Sequence, residues 1–152
     1  MNYIIRSFFT SLLILCFVAC SNDDAPEISA AEFAAGTYSC TGSGKSLITN
    51  MDLSNEQKVK IEAVTDSRAK VEYSIDYNGM PFGTFKTDNA TVTIDKSGTA
   101  LINGSGTINM GMGNKPADYT FTVSGEISKD KKDVEFIFNI PDVMGGLTIT
   151  LN

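Results

Sequence analysis

Tyr119-Thr120-Phe121-Thr122-Val123-Ser124-Gly125-Glu126-Ile127, a polar break over Ser128 to Asp133, then Val134-Glu135-Phe136-Ile137-Phe138-Asn139-Ile140: this stretch decides the fold. Tyr119, Phe121, Val123 and Ile127 fall on one parity, with Thr120, Thr122, Ser124 and Glu126 on the other. Side chains of a strand alternate between two faces, so period two reads as a half-buried β-strand. The second segment repeats the pattern, placing Phe136 and Phe138 inward and Glu135 outward. Two such runs joined by a short polar break form an antiparallel hairpin.

The same period extends outward in both directions. Val59, Ile61 and Ala63 alternate with Lys58, Lys60 and Glu62, and Val71, Tyr73, Ile75 and Tyr77 with Lys70, Glu72, Ser74 and Asp76. Ala90, Val92 and Ile94 follow, then Ile108, Met110 and Met112, and finally Leu147, Ile149 and Leu151. Turn formers separate the runs: Asp66-Ser67, Asp95 to Gly98, Asn114-Lys115-Pro116 and Pro141 to Gly146. With a strand from Gly36 to Gly44, the pattern predicts an all-β domain of about eight antiparallel strands. No long helical period separates them, which excludes parallel βαβ units. Exposed strand edges invite aggregation, so closure into an up-and-down barrel is expected, with Leu147–Leu151 pairing to Thr37–Thr41. Ser29 and Glu32 have the spacing of a capping box and predict a short helical turn over 29–35, ended by Gly36.

The N-terminus follows different rules. Arg6 precedes an apolar run from Ser7 to Val18, too short for a spanning helix and of the length of a secretory signal. Phe17-Val18-Ala19-Cys20 resembles the bacterial lipobox. That resemblance implies cleavage before Cys20, diacylglycerol on its sulfur and a fatty acid such as palmitate on its amine. Two or more acyl chains anchor stably. The expected division is a signal peptide over 1–19, a lipidated Cys20 and tether over 20–32, and a barrel over 33–152. Ser21-Asn22-Asp23-Asp24 resembles the acidic export signal of outer-membrane lipoproteins in some gram-negative anaerobes. It implies anchoring in the outer membrane with display at the cell surface; the alternative is a periplasm-facing anchor.

The 152 residues carry 12 Lys and Arg against 18 Asp and Glu, with no His and no Trp. A net charge of −6 argues against nucleic acid and anionic membrane surfaces as partners. Without His there is no Ser-His-Asp triad, no Cys-His pair and no imidazole metal site. Of three cysteines, Cys16 leaves with the signal and Cys20 becomes a thioether. Cys40 remains as a small core residue. Gly44-Lys45-Ser46 lacks the first glycine of a P-loop and reads as a turn. Asp66, Asp88, Asp95, Asp118, Asp130, Asp133 and Asp142 lie at or beside predicted turns, where Asp bonds its own backbone. No catalytic group, cofactor or metal site is predicted.

Gly36-Thr37-Tyr38 opening the first strand, Gly79-Met80-Pro81-Phe82-Gly83-Thr84 mid-chain and Thr122-Val123-Ser124-Gly125 late resemble the calycin-like β-barrel domain of anaerobe lipoproteins. The wider calycin pattern has Trp where Tyr38 stands, and an Arg over that ring that is absent here. The resemblance covers about 36–152 and implies a lipocalin-like barrel with no catalytic residues to carry over. Gly79 to Phe85 reads as a Gly- and Pro-broken connection rich in apolar residues. Met80, Phe82 and Phe85, with Tyr73, Tyr77, Met110 and Met112, are the candidate lining of a barrel mouth. Its expected occupant is a small apolar or glycan-derived ligand. The competing expectation is a solidly packed barrel whose loops meet another protein.

Overall fold

A computed structural model describes residues 28–110 and 117–152. Cys20, the signal peptide, Met112 and the Asn114-Lys115-Pro116 turn lie outside the described residues. A short helix, α1 (Ala30–Ala34), is followed by β1 (Gly36–Lys45), β2 (Asn50–Thr65), β3 (Arg68–Tyr77), β4 (Met80–Ile94), β5 (Ala100–Met110), β6 (Ala117–Ile127), β7 (Val134–Ile140) and β8 (Leu147–Leu151). Each strand pairs antiparallel with the next, and β8 returns to β1, closing an eight-stranded up-and-down barrel.

Closure differs from the expected register. β8 pairs with Gly42–Lys45, not with Thr37–Thr41: Gly42 faces Leu151 and Lys45 faces Thr148. Only Thr41 extends the seam, exchanging two 2.9 Å backbone bonds with Asn152. Strands in a closed barrel tilt and stagger. After a full circuit the last strand therefore meets the far half of the first.

The helix closes one end. Ser29 and Glu32 form the reciprocal capping box, the Ser29 side chain accepting from the Glu32 backbone N–H. Ala31 and Ala34 are buried, and the Ala31 N–H donates to the Asp66 carbonyl in the β2–β3 turn at 3.0 Å. The Tyr38 hydroxyl donates to the Ala34 carbonyl at 2.8 Å. Lys131, at the tip of the β6–β7 hairpin, lies 5.0 Å over the Phe33 ring. The helix end therefore gathers the β2–β3, β4–β5 and β6–β7 turns. The opposite end carries the β1–β2, β3–β4 and β7–β8 connections.

The inward parity matches expectation: Phe136 and Phe138 are fully buried, Glu135 is exposed, and Cys40 is buried as a free thiol. The outer wall of β2–β4 carries charge pairs such as Lys60–Glu62 and Lys86–Glu72. Such exposed pairs contribute little to stability. Glycines make room for the core. A Cβ on Gly106 would lie 2.4 Å from the Lys86 carbonyl oxygen and 2.9 Å from the Phe121 ring. The backbone oxygen cannot move aside as a flexible side chain would. Gly106→Ala is expected to lower stability by about 2–3 kcal/mol, read from the urea midpoint at unchanged slope.

Candidate functional site

The barrel centre is filled by aromatic rings from four strands. Tyr73 stacks on Phe85 at 5.7 Å between centroids and meets Phe138 at 5.1 Å. Phe85 meets Phe138 at 4.7 Å and Phe121 edge-on at 4.9 Å. These are contact distances for rings, so no ligand fits between them. Tyr73 and Phe85, read as lining of an open mouth, are instead core residues with no exposed surface.

The physical reason lies in Gly79 to Phe85: Gly79 closes a tight turn, and Met80 to Phe85 is strand rather than connection. Asn78 (φ 55°) and Gly79 (φ 77°) both take positive φ, as a two-residue type I′ hairpin turn requires. The Gly79 N–H donates to the Asp76 carboxylate at 2.7 Å. β4 then starts at Met80, opposite Tyr77, with Pro81 opposite Asp76, and a register shift between Ile75 and Asp76 absorbs Phe82. Continued pairing carries Phe85 to a position opposite Tyr73, deep in the barrel.

A polar group sits beside these rings. Gln57 is buried and fully used: its Oε1 accepts from the Tyr73 hydroxyl at 2.9 Å and from the Asp76 N–H at 3.2 Å. Its Nε2 donates to the Asp76 carbonyl at 3.0 Å and to Asn55. Burial holds the Tyr73 phenol well above its ordinary range, with Cys40 and Asp76 adding to the effect. Burial likewise raises the Cys40 thiol, so it is a poor nucleophile. Among the described residues no group of three His, Cys, Asp or Glu side chains converges as a metal site requires.

What the centre lacks in space, the end opposite α1 offers as surface. In the β1–β2 turn the Ser46 side chain accepts from the Thr49 N–H and its backbone N–H donates to the Thr49 carbonyl. That turn projects Leu47 and Ile48 into solvent, 82% and 76% exposed. Met80, across the end on the β3–β4 hairpin, is 65% exposed, with Phe82 and Tyr77 half-buried against the core beneath it. Met110 is buried. The β7–β8 loop adds to the rim: Gly145 packs so closely on Leu47 that a Cβ there would lie 2.5 Å from its Cδ1. Leu47 and Ile48 were missed in the sequence reading. The available signal was an apolar pair inside the polar turn Ser46 to Asn50. Elsewhere, a depression of about 480 Å³ on the outer wall, among Glu56, Lys58, Lys60, Glu72 and Asp76, is shallow and charged.

The model of the calycin-like beta-barrel domain matches residues 35–152. The chain belongs to that family. Among solved structures, a neighbour is a Bacteroides fragilis protein inferred to belong to the outer membrane. It is 29% identical with a TM-score of 0.62, over 80% of this chain and 44% of that one. The calycin-like chain thus spans less than half of that protein's length. No curated protein sequence matches it.

Proposed function

We propose that this is a lipid-anchored, extracytoplasmic barrel of the outer membrane that works by non-catalytic binding, through the end opposite α1, to an apolar surface on another protein. One observation carries the reading: the four rings occupy the barrel interior, while Leu47, Ile48 and Met80 stand in solvent on the rim. Large apolar side chains clustered on a surface mark interaction sites. The lipobox at Cys20 and the likeness to a protein inferred to belong to the outer membrane support the location.

Two experiments test it. A photo-crosslinking amino acid at position 48 or 80 should give discrete protein adducts in the producing cells, and one at Lys60 on the outer wall should not. The competing ligand reading predicts a different result. A small apolar or glycan-derived ligand held by Met80, Phe82, Tyr77, Met110 and Met112 should co-purify in native mass spectrometry. At 100 times its dissociation constant it should stabilise by about 2.7 kcal/mol. Such a shift, without discrete adducts, would replace the interaction reading with the ligand reading. For the anchor, Cys20→Ala is expected to abolish incorporation of labelled palmitate and to move the protein out of the membrane fraction.

A further inference from the structure

We propose that the α1-capped end of the barrel is a bilayer contact, seated against the phospholipid surface in which Cys20 is anchored. This rests on the anchoring proposed above. Seven residues lie between Cys20 and Ile28, and the eight chain steps across them reach at most about 28 Å. Ile28 leads directly into α1, so the lipid holds this end near the bilayer. The rim with Met80 lies a barrel length further away. β3 has ten residues, which at about 3.3 Å each and a tilt near 40° is roughly 25 Å. The anchored barrel therefore turns its helix end to the membrane and its opposite end outward.

The helix end carries surface that the fold itself does not use. Ile28, Val64 and Ile94 are 64%, 51% and 43% exposed. They surround the Asp66–Ser67 turn, and Ile28 and Ile94 line one depression together with Ala30, Glu32 and Asp66. The neighbouring turns add the exposed lysines Lys96, Lys129, Lys131 and Lys132. Acids share this end, but three of them are engaged locally. Asp95 accepts from the Ser97 and Thr99 N–H groups, Asp130 from the Ser128 hydroxyl and the Lys132 N–H, and Glu32 closes the capping box. Asp66 and Asp133 remain beside the lysines. Five acids stand against four lysines here, and Asp23, Asp24 and Glu27 on the tether add to the acids, so the contact is not a long-range attraction to an anionic surface. It is short-range: three aliphatic side chains enter the headgroup region while lysines extend along them to lipid phosphates. The tether supplies the proximity, since an effective concentration in the millimolar range lets a weak contact be occupied.

The test uses the full-length lipidated protein in vesicles of phosphatidylethanolamine and phosphatidylglycerol, with hydroxyl-radical footprinting of side chains. Ile28, Val64 and Ile94 should be modified several-fold more slowly in the vesicles than in Cys20→Ala protein free in solution. Leu47, Ile48 and Met80 should be modified at equal rates in both. The variant Ile28→Ser/Val64→Ser/Ile94→Ser changes only exposed positions. It should still co-sediment with vesicles while losing the protection of Lys96 and Lys131. Equal footprints with co-sedimentation intact would overturn the contact and leave the anchor standing. Protection of Leu47, Ile48 and Met80 instead would also overturn it, by reversing the orientation. Failure of the unmutated protein to co-sediment would overturn the anchor, and this contact with it.

Discussion

Phe136→Asp is expected to leave no folded barrel at neutral pH. Phe136 is fully buried, lies 5.8 Å from the Tyr38 ring, and packs where Gly125 has given up a side chain for it. A carboxylate there would find no cation and no donor set built for it. Burying an unpaired charge costs several kcal/mol, and a domain of this size is stable by only about 5–15 kcal/mol. Far-UV circular dichroism and a urea titration should show loss of the cooperative transition. The neighbouring substitution Glu135→Lys provides the contrast. Glu135 is exposed and stands directly opposite Glu126 on β6. Like charges in that position repel, so Glu135→Lys should shift stability by less than about 0.5 kcal/mol, in the stabilising direction. Equal damage from both changes would mean that the faces are reversed, because a slip of one residue exchanges them.

That contrast was legible in the sequence because alternation is a local property. Thr120 to Glu126 and Val134 to Ile140 need only their own pleat and one buried face to declare their orientation. Properties set by strand partners were not legible. The β1–β8 seam at Gly42–Lys45 depends on the stagger accumulated around all eight strands. Gly79 to Phe85 misled for a related reason. Glycine and proline do punctuate chains, but here Gly79 serves a two-residue turn and Pro81 falls at a register shift. The strand therefore begins at Met80, leaving that residue on the rim and sending Phe85 to the centre. Met80 was thus selected for its type, while its exposed position came from hairpin geometry. Gln57 shares the parity of Val59 and Ile61, but its polar type hid it. It lies between Glu56 and Lys58, in a run that reads as solvated. Its inward direction follows from the same alternation as Val59 and Ile61, carried back two residues to stand opposite Cys40.

Gln57→Leu tests what that buried amide does. The substitution roughly preserves volume while removing every polar atom of the side chain. The Tyr73 hydroxyl and the Asp76 N–H then lose their acceptor, and the Asp76 carbonyl loses a donor. Each buried polar group left unmade costs about 1–3 kcal/mol, partly offset by the added apolar contact. The net loss expected is about 2–4 kcal/mol, measured from the urea midpoint. Tyr73→Phe alone should cost less, about 1 kcal/mol, because Gln57 keeps its backbone partners. The double variant should be more stable than the two losses added together predict, since the second change removes a group the first left unsatisfied. Strict additivity would show that the Tyr73–Gln57 bond contributes nothing. Alkaline pH supplies an independent reading. The Tyr73 pKa is raised in the folded state, so its contribution is fully present below the ordinary value of 10.0 and is lost as pH climbs through the elevated one. Ionised Tyr73 would turn a donor into a second acceptor facing the Gln57 Oε1. Stability of the unmutated protein should therefore fall above pH 10 more steeply than that of Tyr73→Phe. Parallel curves for the two proteins would show that this phenol is not the group whose burial opposes ionisation.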